Sequence, residues 1–385
     1  MTSRSMVECD FLVIGAGIAG ASAAWALGEH GSVVVLERET SAGYHTTGRS
    51  AAQFLQSYGN LSTRCLTRGG RPFFESPPDG FTETPLLSPR AALFFAREDQ
   101  IDALHALHAT VSALTPEVAL IDAKEACALV PALRIDYVAA AMLEPDSMDI
   151  DVNALHQGFL RGARRRGVRI ALDAEVGSLR YRHARWEAGT RDGRYAAKAV
   201  VNAAGAWCDE VARLAGARPI GLVPKRRTVF TFDPPAGSGS DAWPLGIDVD
   251  EELFFKPDAG RLMCSPADET PSPPCDAQPE DLDIAIAVDR LGKATTLEVN
   301  RIVSRWAGLR SFVSDHSLVI GPDADLEGFH WVAGQGGYGI QTSPAVARII
   351  ASLATGGDVP DDLLSLGLKR SDIDPTRLQN GPRDS

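Results

Sequence analysis

Three glycines are spaced so that a phosphate-bearing ligand could lie against the backbone. Gly15, Gly17 and Gly20 follow a short apolar run typical of a buried strand and precede an alanine-rich run typical of a helix. In this context the first glycine permits a tight turn, the second lets a pyrophosphate approach, and the third lets helix and strand pack closely. Glu37 lies 22 residues after Gly15, at the end of a second apolar run, where a carboxylate can accept hydrogen bonds from ribose hydroxyls. The combination predicts a dinucleotide-binding strand–helix–strand unit.

Later segments could complete this unit. Residues 199–205 indicate a buried strand that turns at a glycine, and residues 330–334 indicate a last strand. The glycine-rich segment 335–339 then leads into a helix, with Ser343 as its expected cap and Pro344 at its first position. Such a helix start presents unpaired backbone N–H groups and the positive end of the helix dipole to a ligand.

The intervening segments have a different character. They predict strands separated by loops rich in proline and glycine, which favours a second, largely antiparallel sheet. These predicted strands are residues 91–95, 225–232, 253–256 and 301–306. The proline- and serine-rich runs 234–241 and 266–279 are interpreted as hairpin excursions or a mobile lid, and the polar segment 356–385 as a surface tail.

Composition and charge restrict the function classes. The 385 residues are 44% hydrophobic and 23% charged, which is ordinary for a compact protein of two or three domains. The net charge of −12 opposes binding to nucleic acid or to an anionic membrane surface. The six cysteines form no C-x-x-C pair and have no histidine at zinc-site spacing, so we expect no metal site, reduced thiols and a cytoplasmic location. The uncharged stretch 11–28 contains four glycines and follows Glu8 and Asp10, so no transmembrane segment or signal peptide is expected.

Four short segments relate the chain to a known family. Residues 43–52, 201–207, 306–310 and 334–342 read GYHTTGRSAA, VNAAGAW, WAGLR and GQGGYGIQT. In this order they resemble the motif set of the D-amino-acid oxidase/dehydrogenase superfamily, and within it the bacterial D-arginine dehydrogenases, from about residue 8 to beyond residue 350. The resemblance implies FAD as the cofactor. Because no cysteine lies near residues 43–52, we predict that FAD is held non-covalently.

The resemblance also implies the fold and its division. We expect an α/β (α+β) protein with a Rossmann-like FAD-binding domain and a substrate domain built on a largely antiparallel β-sheet. The FAD-binding domain is predicted to comprise residues 1–84, 142–212 and 315–385, and the substrate domain residues 85–141 and 213–314.

Cofactor contacts are predicted from the glycine fingerprint and from the matching segments. In the resembled family the helix entered near Gly339 faces the N1–C2=O edge of the flavin, where preorganised donors stabilise negative charge. The predicted cofactor-binding residues are Gly15, Gly17, Ile18, Ala19, Gly20, Glu37, Arg38, His45, Thr46, Thr47, Arg49, Ser50, Ala51, Ala52, Val176, Ala204, Gly205, Trp207, Gly336, Gly337, Tyr338, Gly339, Ile340, Gln341 and Thr342.

Two arginines match positions that hold the substrate carboxylate in D-arginine dehydrogenases. They are Arg310 and Arg227, with Arg226 left as the alternative to Arg227. A guanidinium suits this role because its planar fork bonds both carboxylate oxygens. Tyr58 matches a tyrosine beside the substrate, and Gly337 matches a glycine whose carbonyl accepts a hydrogen bond from the substrate amine.

Four pocket positions depart from the D-arginine dehydrogenase pattern. Ala92 stands where a glutamate meets the substrate guanidinium. Gln53 and Phe254 replace a histidine and a tyrosine, and Leu55 replaces a threonine. A buried guanidinium without a counter-ion is costly, so we expect D-leucine, D-methionine or D-phenylalanine to be preferred over D-arginine. A preference for D-arginine would require an acidic residue of the run 248–252 to reach the pocket.

The expected reaction is the oxidative deamination of a D-amino acid. The α-hydrogen moves as hydride to flavin N5, and water hydrolyses the resulting imine to a 2-oxo acid and ammonia. One alternative is oxidation of a 2-hydroxy acid, for which His45 is the candidate base, and another is oxidation of a secondary amine of the proline or N-methyl type. A further alternative is an FAD-binding protein without turnover that assists nucleic-acid modification or another protein, and the net charge of −12 disfavours its nucleic-acid version. The electron acceptor, whether oxygen, a quinone or a protein, stays open.

Overall fold

A computed structural model describes residues 6–378 and shows a mixed α/β chain. The strands, in chain order, are β1 (Val7–Ile14), β2 (Val33–Leu36), β3 (Gln53–Phe54), β4 (Leu87–Pro89), β5 (Ala92–Ala96), β6 (Ala119–Asp122), β7 (Ala140–Glu144), β8 (Met148–Ile150), β9 (Arg169–Ala171), β10 (Ser178–Arg182), β11 (Arg185–Gly189), β12 (Arg194–Asn202), β13 (Val223–Phe232), β14 (Leu245–Asp248), β15 (Phe254–Asp258), β16 (Arg261–Ser265), β17 (Thr270–Pro271), β18 (Ile302–Phe312), β19 (Val319–Pro322) and β20 (Phe329–Ala333). The α-helices are α1 (Ile18–Leu27), α2 (Leu61–Glu75), α3 (Ile101–Val111), α4 (Ala123–Leu129), α5 (Val152–Arg165), α6 (Cys208–Ala215), α7 (Asp281–Ala294), α8 (Gly339–Ala354), α9 (Asp361–Ser365) and α10 (Arg370–Ile373).

The first sheet has a parallel centre. β1 pairs in parallel with β2 and β12, β2 pairs with β9, and β12 pairs with β20. β10 and β11 extend the sheet beyond β12 with antiparallel pairing, and β19 pairs antiparallel with β20. The β1–α1–β2 unit lies at the centre of this sheet, so the predicted Rossmann-like part is confirmed.

Alternate residues of the first sheet face two separate cores. Phe11 and Val13 of β1 pack with residues of α1 and α8 on one side. Leu12 and Ile14 pack on the other side in a core that also contains Trp331. A strand buried on both faces has no polar side, which is why this segment reads as a continuous apolar run.

The second sheet is largely antiparallel, as predicted. Its strand order is β17-β13-β16-β15-β14-β5-β7-β6, with β18 also paired to β13, and the pairing of β14 with β5 is parallel. A small antiparallel sheet, β3-β8-β4, contains Gln53. β7 (Ala140–Glu144) crosses the predicted domain boundary at residues 141–142, and the boundaries themselves stay a prediction.

Two expectations about the C-terminal part are wrong. α8 begins at Gly339, so Ser343 lies inside the helix rather than at its cap, because the glycine-rich start resembles a loop. The segment interpreted as a surface tail buries Leu363, Leu368 and Ile373, with exposed fractions of 0%, 2% and 0%. These apolar residues recur every five positions, which is not a helical period, so the polar composition concealed them. Residues 1–5 and 379–385 of the predicted FAD-binding domain lie outside the described residues.

Within residues 6–378, no helix combines the length and the apolar character needed to cross a lipid bilayer.

Candidate active site

The glycines of the fingerprint stand where side chains cannot fit. Gly15 has a φ of +101°, and a Cβ there would lie 2.5 Å from the carbonyl oxygen of Ala203 on the neighbouring strand end. A Cβ on Gly20 would collide with the carbonyl oxygen of Gly15. The backbone N–H of Ile18, which starts α1, donates to Thr47 Oγ1 at 2.9 Å. The loop therefore carries no side chain at its glycines, while the first N–H of α1 is already paired with Thr47.

Glu37 holds this loop against the end of β2. Its carboxylate is 7% exposed and accepts hydrogen bonds from the N–H of Ala16 at 2.7 Å and from that of Glu39 at 2.9 Å. A carboxylate has about four lone-pair sites, so two of them stay available for ribose hydroxyls. Glu37 thus both closes the loop and faces the cleft described next.

A cleft of about 240 Å³ runs from this loop to the start of α8. Most of the predicted cofactor-binding residues line it, namely Gly15, Gly17, Ile18, Ala19, Glu37, Arg38, His45, Thr46, Thr47, Arg49, Ser50, Ala51, Val176, Ala204, Gly205, Trp207, Gly336, Gly337, Gly339 and Ile340. Of the others, Ala52 and Gln341 line a neighbouring cavity, whereas Gly20, Tyr338 and Thr342 line neither space.

The neighbouring cavity is smaller, about 80 Å³, and shares a wall with the cleft. Arg227, Phe254, Arg310, Gly337 and Ile340 line both spaces. Tyr58, Gln53 and Leu55 line only the smaller cavity. The structure therefore brings the predicted substrate residues together around the smaller cavity, with the exception of Ala92.

Strand register explains why Arg227 rather than Arg226 faces this junction. β13 pairs antiparallel with β18, and Lys225 lies opposite Arg310. Arg227, two residues further along β13, has its side chain on the same face as Arg310, because side chains alternate along a strand. Arg226 lies on the opposite face, where its guanidinium pairs with Glu280 and with Asp283 at 2.9 Å.

The two junction arginines differ in their partners. Arg227 is 6% exposed and donates to the carbonyl of Asp268 at 2.8 Å and to Glu269 Oε1 at 3.1 Å. Burial, together with the positive charge of Arg310, lowers the pKa of the Arg227 guanidinium. Arg310 donates to the Tyr58 hydroxyl at 3.0 Å, and no carboxylate oxygen of residues 6–378 lies within 4.0 Å of its guanidinium. Arg310 is therefore the junction cation without an anionic partner.

Glu251 is the one acidic side chain of the smaller cavity's wall, and residue-by-residue matching missed it. It lies on an exposed turn with a φ of +56° and accepts a hydrogen bond from the Tyr58 hydroxyl at 3.0 Å. Burial raises the pKa of the Tyr58 phenol, so the phenol keeps the proton it donates. The available signal was the acidic run 248–252, from which one residue reaches the cavity.

Comparison with known proteins agrees with this geometry. The model of the family described as FAD dependent oxidoreductase (DAO) matches residues 10–353. The chain belongs to the FAD dependent oxidoreductase family. Its cofactor is FAD, and the protein is an FAD-dependent oxidoreductase.

Several relatives of this oxidoreductase have named activities. A glycerol 3-phosphate dehydrogenase of Caloramator mitchellensis is 23% identical over 365 residues, which cover 89% of this chain and 73% of that protein. The mitochondrial dimethylglycine dehydrogenase of Rattus norvegicus is 25% identical over 264 residues, which cover 63% of this chain and 30% of that protein. The chain thus spans less than a third of the rat protein.

Solved structures show the same fold. The L-proline dehydrogenase from P. horikoshii has a TM-score of 0.83 at 20% identity, with 98% of this chain and 99% of that chain covered. The glycine oxidase from Geobacillus kaustophilus has a TM-score of 0.81 at 20% identity, with 95% and 99% covered. At these identities the likeness concerns the fold alone.

The polar atoms of the cleft fit FAD. His45 Nδ1 and Gln335 Nε2 are buried and have no hydrogen-bond partner within residues 6–378, and both residues line the cleft. The backbone N–H groups of Gly339 and Ile340, in the first turn of α8, have no intrahelical acceptor, and these residues line the cleft too. These groups would hold the polar edges of the cofactor.

His45 lies in the wall of the larger cleft. Its Nε2 is 2.9 Å from Glu39 Oε1, and its ring centroid lies 4.7 Å from that of Trp207. It lines the cleft rather than the smaller cavity. The structure therefore does not bring this candidate base beside Arg310.

Two predicted pocket positions are placed differently from expectation. Ala92 is fully buried in the second sheet, opposite Glu144 and Leu245, and belongs to the layer behind the cavity wall. Gln53 lines the cavity, but its Nε2 donates to the carbonyl of Arg90 at 2.9 Å and to Ser147 Oγ at 3.0 Å. Its amide is thus bonded within the protein, and the roles of both positions in substrate choice stay predictions.

Proposed function

We propose that this oxidoreductase deaminates apolar D-amino acids oxidatively, with Arg310 holding the substrate carboxylate. One observation carries the proposal: Arg310 lies where the cleft and the smaller cavity meet, and the only hydrogen-bond partner of its guanidinium within residues 6–378 is the neutral Tyr58 hydroxyl. A buried or half-buried guanidinium is stabilised by a paired anion. A substrate carboxylate would supply that anion in the bidentate geometry that arginine favours.

Residues at the junction would orient the substrate. Arg310 fixes the carboxylate, Arg227 adds a second positive charge beside it, and the carbonyl of Gly337 can accept a hydrogen bond from the amine. When bound in the cleft, FAD supplies the acceptor for the hydride that leaves Cα. With the neutral amine bound, no side-chain base is needed, and positioning is the main contribution of the protein. Water then converts the imine to a 2-oxo acid and ammonia.

The remaining wall of the smaller cavity favours an apolar side chain. Besides Leu55 and Phe254, it contains Leu245, Ile247 and Leu253. Burying a leucine- or phenylalanine-sized side chain there would contribute about 1.5–3 kcal/mol. Support for the D configuration comes from the motif resemblance.

Glu251 favours a second candidate, a D-amino acid with a basic side chain. Its carboxylate lines the smaller cavity and could meet a cationic group. Glu251 is exposed, however, and it already accepts a hydrogen bond from Tyr58. Ion pairs at exposed positions contribute at most about 1 kcal/mol, which is less than the apolar burial. The apolar substrate therefore remains the first candidate.

Anaerobic flavin bleaching by a substrate panel tests the proposal. The panel contains D- and L-leucine, D-methionine, D-phenylalanine, D-arginine, N-methyl amino acids and 2-hydroxy acids. We expect at least one apolar D-amino acid to exceed D-arginine by about tenfold or more in kcat/KM, since one tenfold step corresponds to about 1.4 kcal/mol, and L-isomers to be inactive. D-arginine as the best substrate would favour the second candidate, whereas bleaching only by N-methyl amino acids or 2-hydroxy acids would overturn the proposal.

A further inference from the structure

A short arm of the chain carries Tyr58 to Arg310. Residues 55–58 follow β3, and their first and last side chains, Leu55 and Tyr58, both line the smaller cavity. A loop segment of this kind has no sheet ladder to satisfy its backbone donors, so each N–H must find another acceptor. The acceptors found in this structure come from two different parts of the molecule.

One acceptor belongs to the cofactor side. Gln341, in the first turns of α8, accepts from the N–H of Leu55 at 3.2 Å and donates to the carbonyl of Leu55 at 3.2 Å. The same amide donates to Thr67 Oγ1 at 2.9 Å. The start of the arm is thereby fixed to the helix whose first turn lines the FAD cleft.

The other acceptor belongs to the substrate side. Glu144, the last residue of β7, has no exposed surface. Its Oε1 accepts from the N–H of Gln56 at 2.8 Å and its Oε2 from the N–H of Ser57 at 3.2 Å. The N–H of Tyr58 then closes a turn onto the carbonyl of Leu55 at 3.4 Å. All four N–H groups of the arm are thus paired.

Burial removes the Glu144 carboxylate from water, which is energetically unfavourable. No lysine, arginine or histidine nitrogen of residues 6–378 lies within 4.0 Å of its carboxylate. The hydrogen bonds from the two backbone N–H groups therefore replace part of the hydration that the carboxylate loses. Burial raises the pKa of the Glu144 carboxyl. A buried carboxyl group without a cation lowers stability unless its hydrogen bonds are retained, so a packing role alone gives no reason for its presence.

We propose that Glu144 is a positioning residue: by holding the N–H groups of Gln56 and Ser57, it sets the place of the Tyr58 hydroxyl and, through it, the orientation of the Arg310 guanidinium. The chain of contacts runs from Glu144 to the arm, from Tyr58 to Arg310 at 3.0 Å, and from there to the substrate carboxylate. The last step rests on the proposed function.

The substitution Glu144→Gln tests this role. The amide keeps one acceptor oxygen but turns an N–H₂ group toward the second backbone N–H, so the arm loses one hydrogen bond. We expect KM for the best amino acid to rise about tenfold, since one buried hydrogen bond and its unpaired donor correspond to about 1–2 kcal/mol. We expect kcat to change less and the FAD content to stay at the wild-type level.

Asp209→Asn is the matched control. Asp209 is also buried, and its carboxylate also accepts from two backbone N–H groups, those of Ile220 at 3.0 Å and Leu222 at 2.9 Å. It lines neither the cleft nor the smaller cavity. We expect this control to lower stability as Glu144→Gln does, while KM stays at the wild-type value. Equal effects of the two variants on KM would overturn the proposal.

A double-mutant cycle with Tyr58→Phe distinguishes positioning of the Tyr58 hydroxyl from a general loss of stability. If Glu144 acts through the Tyr58 hydroxyl, the double variant should show about the same rise in KM as Tyr58→Phe alone, because the two residues act in one chain of contacts. If the rise in KM of the double variant equals the product of the rises in the two single variants, the residues act independently and the proposal is contradicted.

Hydrogen–deuterium exchange gives a readout that does not depend on the substrate. In Glu144→Gln the amides of residues 55–58 should exchange faster than in wild type, whereas Asp209→Asn should leave them unchanged. If wild-type enzyme is bleached by no amino acid, the proposed function fails, and the exchange result alone decides whether Glu144 holds the arm. Unchanged exchange in Glu144→Gln would overturn the inference.

Discussion

The larger cleft and the smaller cavity are built in different ways. The cleft is lined by short runs of consecutive residues that are rich in glycine and alanine, such as the fingerprint around Gly15 and the start of α8. The cavity is formed by long side chains from distant positions, with Tyr58, Glu251 and Arg310 joined by two hydrogen bonds of 3.0 Å. A site built from consecutive residues leaves a pattern that can be seen in the sequence. A site built from distant side chains depends on how the strands pair, which the sequence does not show directly.

The largest expected effect concerns the backbone-built cleft. In Gly20→Ala the added methyl would collide with the carbonyl of Gly15, so we expect FAD binding to be lost or the chain to misfold. Flavin content per chain and circular dichroism measure this. Gly292→Ala is the matched control, because it also lies in a helix and nothing lies within 4 Å of the added Cβ. The Gly292→Ala control should keep both FAD and the fold. A normal FAD content in Gly20→Ala would show that the loop is not closely packed.

The second prediction concerns how the cleft holds FAD. No cysteine is among the residues that line it, so we expect FAD to be released when the protein is denatured with acid or heat. The flavin should appear in the supernatant after precipitation. Flavin that stays with the precipitated chain would show a covalent link and contradict the prediction.

The third prediction concerns the side-chain-built cavity. Arg310→Met should lower kcat/KM for the best amino acid by at least about 3 kcal/mol, or roughly a hundredfold, because it removes one partner of a charged pair. FAD content should hardly change. Arg226→Met is the control, since Arg226 pairs with Glu280 and Asp283 on the other face of β13. It should lower stability but leave kcat/KM near the wild-type value. Equal losses of kcat/KM in the two variants would contradict the proposed role of Arg310.

The smallest expected effect concerns Glu251. Glu251→Gln should lower kcat/KM for D-arginine by about fivefold or less, since exposed ion pairs contribute at most about 1 kcal/mol. Activity on D-leucine should stay unchanged, because the amide oxygen can still accept from Tyr58. Glu252→Gln is the control, as Glu252 is exposed but does not line the cavity. A drop of a hundredfold on D-arginine would instead identify Glu251 as the main determinant of a basic substrate.

The two regions also differed in how far the sequence predicted them. The glycines and Glu37 lie within a single strand–helix–strand unit, so their spacing alone indicated their roles. Glu144 and Glu251 could not be found in this way, because their importance depends on which turn or arm the fold places beside them. Ala92 shows the converse: matching one position to a family pocket does not establish that its side chain reaches the cavity. Buried Leu363 and Ile373 were missed because only tertiary packing distinguishes them from a solvated tail.

Binding of a carboxylate beside the flavin tests the role of Arg310 without turnover. Isocaproate has the side chain and carboxylate of leucine without the amino group, so it can bind but cannot be oxidised. We predict that titrating oxidised wild-type enzyme with isocaproate perturbs the visible flavin spectrum, that isoamylamine, which lacks the carboxylate, does so far more weakly, and that Arg310→Met abolishes the isocaproate response while Arg226→Met retains it. An isocaproate response that persists unchanged in Arg310→Met would show that Arg310 does not hold the substrate carboxylate where the two spaces meet.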